Sequence, residues 1–258
     1  MLFSKTTFIG IDPTAGEKPF SYTAFDDELN LLALGLGNME EVLAFCAGQQ
    51  RAVVAACAPR RINQGVMANP DVRVTLSPSP RPGRWENFRM VDFLLRQHNI
   101  NIIQTPGKEE ECPNWMLVGF SLYNRLEELG YDPFPNDEAE RLYLEVYPHA
   151  SYTVILDVLP FSKYTLEGRL QRQLALFERG VKVSDPMRIF EEITRYRLLH
   201  GILPLEKLHT TGELDALIAA FTAFLATNQP DQVTFLGDLE EGQIVLPVSK
   251  LKSKYSNS

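Results

Sequence analysis

Phe8-Ile9-Gly10-Ile11-Asp12-Pro13-Thr14 is the stretch around which this chain organises. Thr6 to Ile11 is β-branched and aromatic and too short for a helix, so it predicts a buried strand. The run ends on an acid, and Pro13 and Gly16 follow as turn residues. A carboxylate at the mouth of a core strand is costly unless it is paired or binds something. Asp12 is therefore a candidate metal ligand in a nuclease-type site, and the question becomes which other acids converge on it.

Working outward, Phe20–Phe25 and Leu29–Leu34 read as two further strands, joined by the acidic turn Asp26-Asp27-Glu28. Asn38 caps a predicted helix from Met39 to Ala47, with Glu40 and Glu41 in its first turn. Arg51–Cys57 is apolar on both faces, as a central parallel strand is. Strand, strand, strand, helix, strand is the opening order of the RNase H-like fold, an order that other α/β folds share. A Pro/Ser loop (Ser77–Gly83) carries no periodicity. Helices are predicted from about Trp85 to Gln97, from an Asn114 cap to Gly130, over 164–180 and over 185–200. Leu142–Pro148 is a strand that Pro148 ends. Thr210-Thr211-Gly212-Glu213 has capping-box form and opens a helix to about Ala226; Val233–Leu236 and Gln243–Leu246 make a C-terminal hairpin. The reading is one α/β domain over 1–258: a mixed sheet of three antiparallel strands plus parallel strands, flanked by helices, with a helical and loop insertion over about 60–140.

At 258 residues, 45% apolar and 22% charged, the chain is globular in composition. A net charge of −8 argues against a generic nucleic-acid coat. The charge is uneven, however. Residues 51–100 hold eight arginines against three acids, and 161–200 hold eight Lys/Arg against five acids. Such segments form either an anionic-substrate groove or solvated helix faces. Three cysteines without C-x-x-C spacing fit reduced thiols and a cytoplasmic protein. Four histidines show no metal-binding spacing, and no signal peptide or membrane-spanning run is read.

Three acids stand out because each sits in apolar sequence: Asp12, Glu145 and Asp215. Each has a structural reading too. Asp12 could cap its turn, Glu145 could pair with an arginine, and Asp215 could serve the positive end of its helix. Glu213 is explained by its capping box, and His209 is more readily structural than catalytic. Together the three acids suit a hard divalent cation, Mg2+ or Mn2+, which takes oxygen ligands. Two such ions can activate water and stabilise the leaving oxygen in phosphodiester cleavage.

The chain also resembles the family called domain of unknown function 429, a family expected to contain RNase H-like nucleases. The residues that carry the resemblance are Gly10-Ile11-Asp12, Ala55–Pro59, Arg89-x-x-Asp92-x-x-Leu95-Arg96, Glu145–Pro148, Lys163–Arg172, Asp215–Ala220 and Gly237 through Pro247. The resemblance implies an RNase H-like core with Asp12, Glu145 and Asp215 as metal ligands. It implies that Lys163, Arg169 and Arg172 face the site; Arg60 joins them as a phosphate-binding candidate. The implied partner is a nucleic acid or another phosphodiester. One departure stands in the fourth strand: the family pattern Ile-Asp-Ala-Pro is here Ala56-Cys57-Ala58-Pro59. A thiol is a poor magnesium ligand, which opens a second reading, a catalytically impaired nucleic-acid-binding scaffold. A sugar-kinase or actin-like phosphotransferase shares the Gly-x-Asp strand but needs further Gly-rich phosphate turns, and none is seen.

Overall fold

The computed structural model describes residues 5–14, 18–81 and 83–256. Gly16 of the turn after Asp12, and Pro82 of the Pro/Ser loop, lie outside the described residues. Strands β1 (Thr7–Asp12), β2 (Phe20–Phe25) and β3 (Leu31–Gly37) form an antiparallel meander. Helix α1 (Met39–Ala47) opens on a reciprocal cap: the Asn38 side chain accepts from Glu41 N–H, and the Glu41 carboxylate accepts from Asn38 N–H. It leads into β4 (Ala52–Ala56), parallel to β1. Helices α2 (Pro70–Thr75), α3 (Met90–Gln97) and α4 (Asn114–Glu128) and the short β5 (Asp132–Pro133) precede β6 (Arg141–Glu145), which is parallel to β4. Then come α5 (Pro148–Leu156), α6 (Leu166–Glu178), the short α7 (Ile189–Glu192) and α8 (Arg195–Leu199), and the long α9 (Thr211–Asn228). The hairpin β7 (Thr234–Asp238) and β8 (Gly242–Leu246) closes the chain.

The eight strands make one mixed sheet in the order β3-β2-β1-β4-β6-β8-β7, with β5 beside β6. Helices flank it, an arrangement consistent with an RNase H-like fold. Its two faces follow from strand parity. Phe8 of β1, Val53 and Ala55 of β4 and Leu142 and Leu144 of β6 pack under α9 with Cys57 and Val146. Ile9, Ile11, Val54, Ala56 and Tyr143 pack on the opposite face with Val42 and Leu43 of α1 and Leu122, Tyr123 and Leu126 of α4. Thus α4, from the stretch read as an insertion, is a layer of the core.

Several element boundaries differ from the sequence expectation, each for a local reason. Pro148 does end the β6 ladder, but it also opens α5, because its fixed φ suits the first helical position. Pro113, not Asn114, is the N-cap of α4. Helix α3 begins at Met90 because Arg89 is held extended. The helix expected over 185–200 is broken. Asp185 caps Pro186–Arg188 as a 3-10 turn, Ile193 is extended, and the Thr194 side chain accepts from Arg197 N–H to start α8 afresh.

Helix α9 lies directly on β1 at Gly10. A Cβ there would sit 1.9 Å from the Ala216 carbonyl oxygen and 2.6 Å from Ala220 N, both backbone atoms that cannot swing aside. Gly10→Ala is expected to cost about 3 kcal/mol or more of unfolding free energy, measured by urea denaturation. Gly48→Ala has ordinary contacts at 3.5 Å and a right-handed helical φ, and should be neutral or stabilising by about 0.5 kcal/mol. Equal effects at the two positions would contradict the packing described.

Candidate active site

Asp12 ends β1, and the parallel register places Cys57 beside it, with Cys57 N–H donating to the Ile11 carbonyl at 2.8 Å. Both side chains point toward α9. Thr210 and Glu213 cap that helix reciprocally, which fixes where its first turn starts. His209, 3.8 Å from Glu213, together with the cap bonds to Thr210, holds that carboxyl down at about 2, so Glu213 is committed to the cap. One turn later stands Asp215, whose carboxylate acts electrostatically on Asp12. A Cβ on Gly212 would meet the Ser21 hydroxyl at 2.4 Å and approach the Asp12 carboxylate at 3.3 Å, so a side chain here would have to displace Ser21 beside the acid.

One cation contacts Asp215 and acts on Asp12 only through its field. Lys163 Nζ donates to Asp215 Oδ2 at 2.5 Å. Burial, and then repulsion from Asp215, push the Asp12 carboxyl up to about 7, only partly offset by Lys163. Burial also raises Asp215, against the pull of Lys163 and Arg172. Lys163 itself is held firmly charged: burial opposes this, but Asp215 outweighs it. The Cys57 thiol donates to the Asp215 carbonyl at 3.4 Å and, buried beside two acids, is pushed far up, so it stays protonated. Nearby, burial and the neighbouring Arg172 and Lys163 lower His149 to about 4, leaving its ring neutral.

Glu145 does not join this cluster. It pairs in register with Ala56, which pairs with Ile11, so it points to the face opposite Asp12. There it receives Arg89 through both terminal nitrogens, at 2.7 and 3.1 Å, and Arg60 N–H at 3.0 Å. Arg89 is 1% exposed and also touches Asp92. Burial alone would weaken its charge; Glu145 and Asp92 sustain it. Close by, the fully buried Glu241 accepts from the backbone N–H groups of Gln64, Val66 and Met90. This network fastens residues 60–105 to the end of the sheet, and it realises the ion-pair alternative for Glu145 rather than the ligand alternative.

The basic residues divide similarly. Of Arg60, Lys163, Arg169 and Arg172, only Lys163 contacts an acid of the pair. Arg169 donates to the carbonyls of Leu208 and His209, each at 2.9 Å, and so positions the entry to α9. Arg172 donates to the carbonyls of Phe161 and Gly168 and lies over the Tyr152 ring. Arg60 pairs with Glu127 and lies over Tyr143, on the Glu145 face.

A family profile described as a protein of unknown function, DUF429, matches residues 88–241. The chain belongs to this family. The matched span of this DUF429 protein contains Arg89, Glu145, Lys163 and Asp215 and begins after Asp12 and Cys57. No curated protein and no solved structure matches the chain. No helix among the described residues is long and apolar enough to cross a membrane.

Sequence reasoning missed Glu241 and Arg89 as buried charged groups. Glu241 follows Glu240 in a turn that reads as solvent-exposed, so nothing local marks its burial.

Among the described residues no three His, Cys, Asp or Glu side chains group around a metal position. The acid pair still fits a hard cation. Mg2+ is commonly held by one or two carboxylates, with water and substrate phosphate completing the shell. A partly buried carboxylate and a buried one beside a protonated thiol supply the right donors and exclude the soft one.

Two outcomes follow for this DUF429 protein. Raising the folded pKa of Asp12 above its ordinary value near 3.8 means that its contribution to stability is complete below that value and is lost as pH rises through about 7. Asp12→Asn should therefore be more stable than the wild type at pH 8 and lose that advantage by pH 4, read from urea midpoints. Glu145→Gln leaves the buried Arg89 with Asp92 as its remaining close anionic partner and should cost about 3 kcal/mol at pH 7 in the same assay.

Proposed function

We propose that this DUF429 protein is a metal-dependent phosphodiesterase of the nuclease type, with Asp12 and Asp215 as its centre. The observation that carries the reading is the acid pair itself: the partly buried Asp12 at the end of β1 and the buried Asp215 in the first turn of α9, where burial first and repulsion from Asp215 second raise the Asp12 carboxyl to about 7. Mutual repulsion of this kind costs stability and is typical of functional sites. Asp12 and Asp215 would hold Mg2+ or Mn2+, which when bound lowers the pKa of a coordinated water and neutralises phosphate charge. Lys163, half-exposed and already at the pair, would turn its ammonium toward a non-bridging phosphate oxygen. Glu145 is assigned to anchoring through Arg89, and Arg169 and Arg172 to positioning the segments on either side of the pair.

A second reading is favoured by Cys57 and Lys163. The resemblance implies an acid where Cys57 stands, and the Lys163 ammonium already neutralises Asp215 in place of a metal ion. A site so arranged would bind a phosphodiester without cleaving it.

Hydrolysis of bis(p-nitrophenyl) phosphate and of labelled DNA and RNA oligonucleotides with Mn2+ should fall at least 100-fold in Asp12→Asn and in Asp215→Asn. Mn2+ should raise the melting temperature of the wild type at pH 8, do so less as Asp12 protonates below about pH 6, and leave Asp12→Asn unmoved. Wild-type cleavage unaffected by Asp12→Asn would overturn the assignment. Binding without cleavage in the wild type would favour the scaffold.

A further inference from the structure

Phe161-Ser162-Lys163-Tyr164 links α5 to α6 and passes the acid pair. Its backbone is fixed from several directions. Phe161 N–H donates to the Gln171 side chain, and the buried Arg172 donates to the Phe161 carbonyl. The Ser162 carbonyl accepts from both Thr165 N–H and the Thr165 hydroxyl. A Cβ on Gly168 would sit 1.9 Å from that same carbonyl, so α6 is pressed against the loop.

This rigid loop nevertheless presents its aromatic side chains to solvent. Phe161 is 50% exposed and Tyr164 is 81% exposed. The Tyr164 ring centroid lies 5.8 Å from Lys163 Nζ, and that nitrogen contacts Asp215. The ammonium thus lies over one face of an otherwise exposed ring, at the edge of the acid pair. Arg172, a buried guanidinium, is spent on holding the backbone that displays them.

We propose that Tyr164, with Phe161, is a stacking platform for unpaired bases, so that the occupant is a single-stranded nucleic acid. The proposal rests on the acid-pair reading for what happens next to the bound strand. Base stacking on an exposed aromatic needs a free π-face, which a duplex conceals and a single strand offers. The adjacent ammonium complements a backbone phosphate, a pairing that an apolar protein partner would not reward. A base on Tyr164 would bring its neighbouring phosphate to Lys163 and hence to the acids. Basic groups outnumber acids over residues 161–200, which agrees with a polyanionic occupant.

The test is fluorescence anisotropy with the full chain in EDTA, where cleavage cannot occur. The probes are a labelled 12-nucleotide single strand, its duplex and an abasic strand of equal length, with the single strand in deoxyribose and ribose forms. The wild type should bind the single strand at least tenfold more tightly than the duplex or the abasic strand. Tyr164→Ala should weaken single-strand binding about tenfold and leave abasic binding unchanged, while Tyr164→Phe retains it. The tighter of the two sugar forms identifies the polymer served. Equal binding of duplex and single strand, or a Tyr164→Ala protein that binds like the wild type, overturns the platform. The readout is independent of the acids. Retained single-strand binding with no Mn2+-dependent hydrolysis in the wild type would sink the phosphodiesterase reading and leave the platform standing.

Discussion

The contact between Gly10 and the first turns of α9 is the constraint on which the rest depends. A helix lying on a sheet normally stands off by the length of the side chains between them. Here β1 offers a glycine and α9 offers Ala216, Ala219 and Ala220, and the backbones come almost into contact. That approach brings the start of α9 down to the end of β1, where Asp12 waits. Gly212 and the Thr210–Glu213 cap complete the placement, one by leaving room and the other by fixing where the helix begins. Without the close approach, Asp12 and Asp215 would each meet water separately, and neither would be driven from its ordinary titration range.

The molecule then keeps two sets of buried charges on opposite faces of one sheet. On the α9 face are two acids and one ammonium, and burial together with repulsion from Asp215 raises the Asp12 carboxyl. On the other face, Glu145 is matched by Arg89 and by a backbone N–H, while Glu241 collects three backbone donors. The carboxylates of this network are well supplied with donors, although the buried Nε atoms of Arg60 and Arg89 have no partner among the described residues, and the network ties the long connection before β6 to the strand ends. A poorly satisfied pair is a place where a ligand can improve matters. The difference between the two faces is the physical ground for placing function at Asp12 and architecture at Glu145.

Much of the fold was legible because the signals were local. Asn38 and Glu41, and Thr210 and Glu213, announced two helix starts through side chains that reach only three residues. The apolar run before Cys57 marked a strand covered on both sides. What failed was equally local in cause. Ile193 and Thr194 carry polar and branched chemistry that a helix tolerates, and only the Thr194 hydroxyl capping Arg197 broke the segment in two. Pro148 was recognised as a strand terminator, but its aptitude for the first turn of a helix was overlooked.

The sequence by itself determined the elements and the three acids worth examining, because burial of a charge leaves its mark in the apolar residues around it. It could not decide which acids meet. Asp12 and Glu145 lie at neighbouring levels of the same sheet, and one residue of register separates the face they share from the face they do not. Side chains alternate along a strand, so that single step sends Glu145 to Arg89 and leaves Asp12 to Asp215. Register is a property of paired strands, set only when β1, β4 and β6 lie side by side, and the candidate site is therefore a consequence of the tertiary structure acting on residues the sequence had already singled out.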